Sequence, residues 1–321
     1  MKAFFSTCLS IFLCGLLFAQ SIPDLSEKEA ELKLLTDQMI DDSLLAETDP
    51  LLKAVYGDTS IPILYQDSLF AAHRRETVYR IIPMLVGALK AENSFYYPFN
   101  RLNTISIQYP SDSSFRIFTW TLKDQTGIYR HFGAIQMNEA QLKLFPLFDM
   151  SDTMSGRPQA VLSNKNWYGA MYYRVLEQEV DGRKYYTLFG FDQNDLWSRK
   201  KLMDVLWFTD AGEPRFGAPL FQQKKDDEVK NLNRFFIEYK KTAAVNLNFF
   251  EDMDLIIFDH TAPPGEVYEG LYFTYIPDGT YEGFRWDEAI GKWSWIEKVF
   301  HYAINENDNP PMPAPILDDR D

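Results

Sequence analysis

The hydrophobic positions follow two different periods along the chain, and each period predicts its own kind of secondary structure. Between residues 24 and 93, apolar side chains recur every three or four positions, as at Leu32, Leu35 and Met39. This spacing places them on one side of an α-helix. The first part of the chain is therefore predicted to be a small helical region that packs on the rest of the protein.

Two features predict where these helices begin and bend. Ser26 followed by Glu29 has the spacing of a capping box, which indicates a helix start at Ser26. A second helical stretch begins near Ser68 and contains Pro83, which lacks a backbone N–H. We expect Pro83 to kink or restart this second helix.

From about residue 103 the pattern changes to short runs of β-branched, aromatic and alternating residues. Turn sequences separate these runs, for example Asp181-Gly182 and Pro277-Asp278-Gly279-Thr280, and Asp-Gly pairs favour tight hairpins. Roughly 12 strands follow one another through short loops, without long helical crossovers. The predicted fold is mainly β, an antiparallel meander that is either a sandwich or barrel-like.

The beginning of the chain has the three zones of a secretory signal peptide. Lys2 supplies a positive charge, an apolar run extends from Phe4 to Phe18, and Ala19 is a small residue before a polar stretch. The apolar run of about 15 residues is shorter than the about 20 that cross a bilayer as a helix. Export with cleavage near Ala19 is predicted, after which the chain is not membrane-spanning. Lipidation at Cys14 is the alternative.

These patterns divide the chain into four predicted segments. They are a signal peptide at 1–19, a helical N-terminal region at 20–94, an antiparallel β domain at 95–304 and a tail at 305–321. The tail has four prolines between residues 310 and 315, among acids and amides. This composition is typical of a disordered segment.

The cysteine content and the net charge restrict the partners. Both cysteines, Cys8 and Cys14, lie in the predicted signal peptide, so the exported chain is expected to fold without disulfides. The formal net charge of −14 disfavours nucleic acids and anionic lipids as partners. It suits a soluble envelope protein, or one that meets a basic partner or divalent cations.

Candidate metal ligands flank the predicted strand at 255–259. Asp252 and Asp254 precede this strand and His260 follows it, and carboxylate oxygens are the ligands that Ca²⁺ prefers. The alternative is that these side chains are solvated in turns, which is ordinary in a chain this acidic. Apart from calcium, no cofactor is predicted.

Trp293 and Trp295 are the candidate ligand-binding residues. They share one face of a predicted strand, with Ser294 on the opposite face. If they are exposed, the two rings form a platform on which a sugar could stack, whereas rings that face inward belong to the core. The sequence leaves both alternatives open.

Several strand segments of the β region resemble segments of known proteins. They are Trp167–Tyr173, Lys200–Leu206, Phe216–Pro219, Phe236–Tyr239 and Ile257–His260. Over about residues 95 to 300 the chain resembles a family of uncharacterised exported proteins of Bacteroidota. The resemblance implies a cell with two membranes and favours the periplasm or the periplasmic face of the outer membrane. The family has no assigned activity, so no functional residue is carried over.

The sequence favours a non-catalytic envelope protein that acts through protein–protein interaction, as an accessory of secretion or outer-membrane assembly. Signatures of serine nucleophiles, zinc-binding helices and nucleotide-binding loops are absent, so no catalytic residue is predicted. Two alternatives stay open: a β protein that binds a lipid or a glycan, and a secreted hydrolase on a β scaffold.

Overall fold

The computed structural model describes residues 24–124, 127–153, 159–225 and 228–299. The predicted signal peptide and tail lie outside these residues. The described residues form a helical N-terminal region followed by 16 strands in three sheets. The predicted mainly β fold is confirmed, with more than the roughly 12 strands expected because very short strands show too few alternating positions to be recognised.

The N-terminal region contains four helices in the described chain. They are α1 (24–40), α2 (Asp42–Ala46), α3 (Pro50–Val55) and α4 (Ile63–Leu89). Helix α4 continues through Pro83, so the helix is not restarted there. Pro83 lies on the exposed side of α4, where water can satisfy the carbonyl oxygen that proline leaves without a donor.

The start of α1 differs from the prediction. The helix already includes residue 24, so Ser26 lies inside it and does not cap it. The buried Glu29 carboxylate accepts hydrogen bonds from Tyr97 Oη and from the backbone N–H of Arg101, both at 2.7 Å. The predicted capping box is therefore wrong. Glu29 instead connects α1 to the segment that leads into the first sheet.

The first sheet is an antiparallel meander in the order β1-β2-β3-β4. Its strands are β1 (Ser106–Gln108), β2 (Phe115–Lys123), β3 (Tyr129–Met137) and β4 (Leu144–Phe148). Apolar side chains of α1 and α4 pack on one face of this sheet, against Phe118 and Trp120. The predicted packing of the helical region on the β region is thus observed.

The second sheet follows the order β5-β9-β8-β7-β6, and β12 also pairs with β8. Its strands are β5 (Leu162–Ser163), β6 (Met171–Val180), β7 (Arg183–Asp192), β8 (Ser198–Phe208), β9 (Pro214–Phe216) and β12 (Arg234–Lys240). The predicted turn between β6 and β7 is present. Asp181 and Gly182 both have positive φ, 52° and 74°, as a tight hairpin requires.

The third sheet has the order β11-β10-β16-β15-β14-β13, in which β10 and β16 are parallel. Its strands are β10 (Phe221–Lys225), β11 (Glu228–Leu232), β13 (Leu247–Phe250), β14 (Leu255–Ala262), β15 (Ile276–Asp287) and β16 (Lys292–Ile296). The predicted turn at 277–280 is wrong, because these residues lie within β15. Pro277 is accommodated there beside an irregularity in the pairing with β14.

The helices and the three sheets stack in layers. One apolar core lies between the helices and the first sheet, and a second lies between the first and second sheets. The third core, between the second and third sheets, is rich in aromatic side chains such as Phe189, Phe258 and Trp293. The second sheet is therefore buried on both faces, and the arrangement is a sandwich of sheets.

A buried arginine joins the helical region to the first sheet. Arg116 on β2 donates hydrogen bonds to the carbonyl oxygens of Ser94 at 2.8 Å and Tyr97 at 2.7 Å. Its guanidinium carbon lies 4.8 Å from the ring centre of Phe118 and 5.2 Å from that of Phe99. Burial lowers the pKa of Arg116. The cation is thus held by carbonyl dipoles and aromatic rings.

Candidate functional site

A cleft of about 480 Å³ opens between the second and third sheets. Strands β10, β12, β14, β15 and β16 contribute to it, together with the segment 263–275 that connects β14 to β15. Its lining residues include six aromatic residues and four acids: Phe235, Phe236, Phe258, Tyr272, Tyr275, Trp295, Glu238, Asp259, Glu282 and Glu297. Among them, Phe236 and Glu238 lie on the face of β12 that is turned towards the first sheet, and Asp259 lies on the face of β14 opposite Phe258. We call this site the aromatic–acidic cleft.

The aromatic side chains form a floor and a rim. Phe235 and Phe258 are buried, and the half-buried Trp295 ring lies with its centre 5.7 Å and 5.5 Å from theirs. Tyr272 is exposed and Tyr275 half-buried, with ring centres 5.0 Å apart. Rings in edge-to-face contact keep one another in place. The cleft therefore offers a fixed apolar floor and tyrosine hydroxyls at its border.

The carboxylates give the cleft a negative charge. Glu238 accepts a hydrogen bond from Ser198 Oγ at 2.7 Å, and Asp259 accepts one from the backbone N–H of Asn246. Burial raises the pKa of Asp259, and the charge of Asp278 adds to that rise. Lys224 and His260 also line the cleft, so its acids outnumber its basic residues. A concave site with an excess of one sign of charge concentrates ions of the opposite sign.

The predicted metal ligands are not brought together. Asp252 and Asp254 lie in the exposed turn before β14, whereas His260 lies near the other end of this strand and lines the cleft. Six residues of extended strand separate Asp254 from His260 by about 20 Å. His260 Nδ1 is 2.7 Å from a carboxylate oxygen of Asp278. In the parts of the chain that the structure describes, no three His, Cys, Asp or Glu side chains could hold a metal ion.

The two predicted tryptophans have different surroundings. Trp293 is buried in the core between the second and third sheets, and its Nε1 donates to Thr187 Oγ1 at 3.1 Å. Trp295 is half-buried and lines the aromatic–acidic cleft. The two rings share one face of β16, yet only Trp295 reaches a space that a ligand could enter. The structure thus places one candidate in the core and the other at the site.

A second polar cluster is buried between the first and second sheets. His131 on β3 lies between two carboxylates, with Nδ1 3.2 Å from Asp149 and Nε2 3.5 Å from Asp192. Tyr168 donates to Asp192 at 3.1 Å, and Lys200 Nζ is 3.4 Å from the Tyr168 hydroxyl. Burial raises the pKa of Tyr168, as does the adjacent Asp192.

Asp149 holds several segments of backbone together. Besides His131, it accepts hydrogen bonds from the backbone N–H groups of Ser151 at 2.9 Å and Gly169 at 3.2 Å. Burial alone would raise the pKa of Asp149, but these hydrogen bonds and the His131 ring hold it at about 2. A Cβ at residue 169 would lie 2.4 Å from the carboxylate, so glycine is required for this approach. The cluster therefore acts as a structural anchor.

The sequence did not predict either site, because neither depends on local spacing. His131 and Asp149 are 18 positions apart, and the cleft collects residues from five strands and one connection. Trp295 and His260 are the residues of the cleft that the sequence singled out. The only local signal for the remainder is the alternation that puts Asp259 and Phe258 on opposite faces of β14.

Comparison with known proteins does not indicate what the cleft binds. Comparisons of the chain with known protein families, with curated protein sequences and with solved structures find no match. None of the described helices combines the length and the apolar character needed to cross a bilayer. The chemistry of the cleft itself must therefore indicate its function.

Proposed function

We propose that this protein is a non-catalytic binding protein of the cell envelope whose aromatic–acidic cleft receives a basic segment of a partner protein. The observation that carries this proposal is that two acids, Glu282 and Glu297, line the same cleft as the cluster of aromatic rings around Trp295. A lysine or arginine side chain is attracted by carboxylates and also by the faces of aromatic rings. The cleft offers both kinds of contact within one volume.

The size and the border of the cleft agree with a peptide ligand. A volume of about 480 Å³ accommodates a few side chains, and small-molecule sites fall in the range of about 300–1,000 Å³. The apolar stem of an arginine would lie on Trp295 and Phe258, while its guanidinium would meet Glu282 or Glu297. The net charge of −14 would accelerate the encounter with a basic partner.

A glycan is the second ligand that the aromatic floor could accept. A sugar ring would stack on Trp295 or Tyr272, and its hydroxyl groups would donate to the carboxylates. A neutral sugar, however, forms no ion pair with Glu282 or Glu297, so we favour the basic segment. The lipid-binding and hydrolase alternatives stay predictions from the sequence, as do the periplasmic location and the likeness to exported proteins of Bacteroidota.

Binding of labelled basic peptides tests the proposal. We expect a short arginine–serine peptide, followed by fluorescence anisotropy, to bind the chain from residue 20 to 321 and to weaken about tenfold or more between about 50 and 300 mM salt. The double change Glu282→Gln with Glu297→Gln is expected to weaken binding about tenfold, since each exposed ion pair contributes up to about 1 kcal/mol.

The other end of β14 supplies the matched control. Asp252→Asn with Asp254→Asn removes the same charge from exposed positions that do not line the cleft. This control is expected to leave peptide affinity within about twofold of the unchanged protein. Equal weakening by the two double variants would show that only net charge matters and would contradict the proposal. Tighter binding of a neutral glucan oligomer, lost with Trp295→Ala, would instead support the glycan.

A further inference from the structure

A second exposed apolar surface includes residues of the segment 263–275 that do not line the aromatic–acidic cleft. Trp197 is 68% exposed, Leu196 57%, and Tyr268 and Phe273 each 43%. Together with Lys240 they border a concavity of about 520 Å³. Exposed apolar side chains clustered in this way are typical of an interaction site or a ligand-binding groove. We call this group the Trp197 surface.

The Trp197 surface carries positive charge in a strongly acidic protein. Lys240 is exposed, and the neighbouring Lys241 donates to the carbonyl oxygens of Gln193 and Asp195. Burial lowers the pKa of Lys241, and the nearby positive charge of Arg199 lowers it further. The surface therefore combines aromatic rings with a group of basic side chains, and an acidic, proline-containing segment would complement both features.

We propose that the Trp197 surface binds the tail of the same chain, residues 305–321. The four prolines between residues 310 and 315 favour the polyproline II conformation, which docks on grooves lined by aromatic side chains. Asp318 and Asp319 follow the prolines and supply the negative charge that Lys240 attracts. This contact is separate from the proposed function of the cleft, so either proposal can fail without the other.

The tail is long enough to reach this surface. The backbone N–H of Val299 donates to the carbonyl oxygen of Tyr281 at 3.1 Å, which places the end of the described chain beside β15. From Tyr281, strand β15 extends at most about 17 Å back to Ile276, and Thr274, two positions before it, lines the concavity of the Trp197 surface. The 11 residues from Val299 to Pro310 span up to about 36 Å when extended.

Disulfide mapping tests this contact directly. The only cysteines of the chain, Cys8 and Cys14, precede residue 20, so the chain from residue 20 to 321 contains none. Thr242 is exposed and lines the concavity of the Trp197 surface. We expect Thr242→Cys to form an intramolecular disulfide with Leu317→Cys in the tail under mild oxidation. Its yield should exceed by about tenfold that of a control pair, Val229→Cys with Leu317→Cys. Val229 is 52% exposed on β11 and lies outside the surface.

Two further variants show whether the proposed chemistry causes the contact. Each variant is combined with the Thr242→Cys and Leu317→Cys pair. Trp197→Ala is expected to lower the disulfide yield at least fivefold. The double change Asp318→Lys with Asp319→Lys is expected to lower it by a similar factor. Because Trp197 is exposed, we expect circular dichroism to show that these variants remain folded. Equal yields for the test and control pairs, or yields that neither variant changes, would overturn the proposal. Disulfide-linked dimers whose yield rises with concentration would assign the surface to a second copy and would also overturn it.

Discussion

Replacing Asp204 with alanine is expected to lower the free energy of unfolding by about 3–5 kcal/mol. Asp204 on β8 and Arg234 on β12 are directly opposite in the strand pairing, and Oδ2 lies 2.7 Å from Nε. Neither side chain is exposed to solvent. Removing the carboxylate leaves a positive charge in the core without the partner that compensates its lost hydration.

The residues around this ion pair keep the Arg234 guanidinium from reaching solvent. Arg234 Nη1 donates to the carbonyl oxygen of Ala160 at 3.1 Å, and the backbone of Gly217 lies against the guanidinium. A Cβ at residue 217 would be 2.9 Å from Nη2, and φ there is +99°, so glycine is required. Burial raises the pKa of Asp204, while the charge of Arg234 opposes that rise. The carboxylate is stabilised chiefly by its pairing with Arg234.

Urea unfolding followed by tryptophan fluorescence measures the loss. Arg183→Ala is the matched control, because Arg183 lies 3.1 Å from Asp210, whose side chain is 96% exposed; that change should cost less than about 1 kcal/mol. The combined change Asp204→Leu with Arg234→Met should recover much of the stability, since it removes both buried charges. If Asp204→Ala lowered the free energy of unfolding no more than Arg183→Ala, the prediction that the buried ion pair stabilises the fold would be wrong.

The second large effect is an acid-dependent loss of stability through Asp149. Its pKa is about 2 in the folded protein and close to 4 in an unfolded chain. Because the folded pKa is the lower of the two, this carboxylate stabilises the protein above about pH 4, and the contribution is lost as the pH falls toward 2. The difference corresponds to about 2–3 kcal/mol.

Comparison with Asp149→Asn isolates this contribution from that of the other acids. The variant should be less stable at neutral pH, and the difference from the unchanged protein should shrink as the pH falls from about 5 to about 2. Asp210→Asn, at an exposed position, should leave the pH dependence unchanged. Unfolding free energies measured by urea titration at each pH provide the test. Parallel curves for Asp149→Asn and the unchanged protein would contradict it.

Local patterns predicted the features that depend on neighbouring residues. The Asp181-Gly182 hairpin is present, because tight turns are determined within a few positions. The segment 277–280 was misread for the same reason. Its proline and glycine resemble a hairpin turn, but Pro277 and Tyr281 on either side both pair with β14, so residues 278–280 form an irregularity within one strand.

The sites could not be predicted because they depend on distant residues becoming neighbours. Asp204 and Arg234 are 30 positions apart, and nothing in either local sequence indicates that this acid is buried while Asp210 is exposed. The same holds for Trp293 and Trp295. Their alternation shows that they share a face, but the position of the third sheet over the second decides that one ring is buried and the other lines the cleft.

The position of β16 has a consequence for the order in which the protein is assembled. It is the last strand of the described chain, yet it lies in the middle of the third sheet, between β10 and β15. When the chain emerges with its N-terminus first, whether during synthesis or during translocation, β10 and β15 appear with no strand to join them. The third sheet then consists of two unconnected halves, and the aromatic core that faces the second sheet stays partly uncovered. A late, non-local pairing of this kind slows folding, so an incomplete chain would present apolar surface to chaperones and proteases until residue 296 is free.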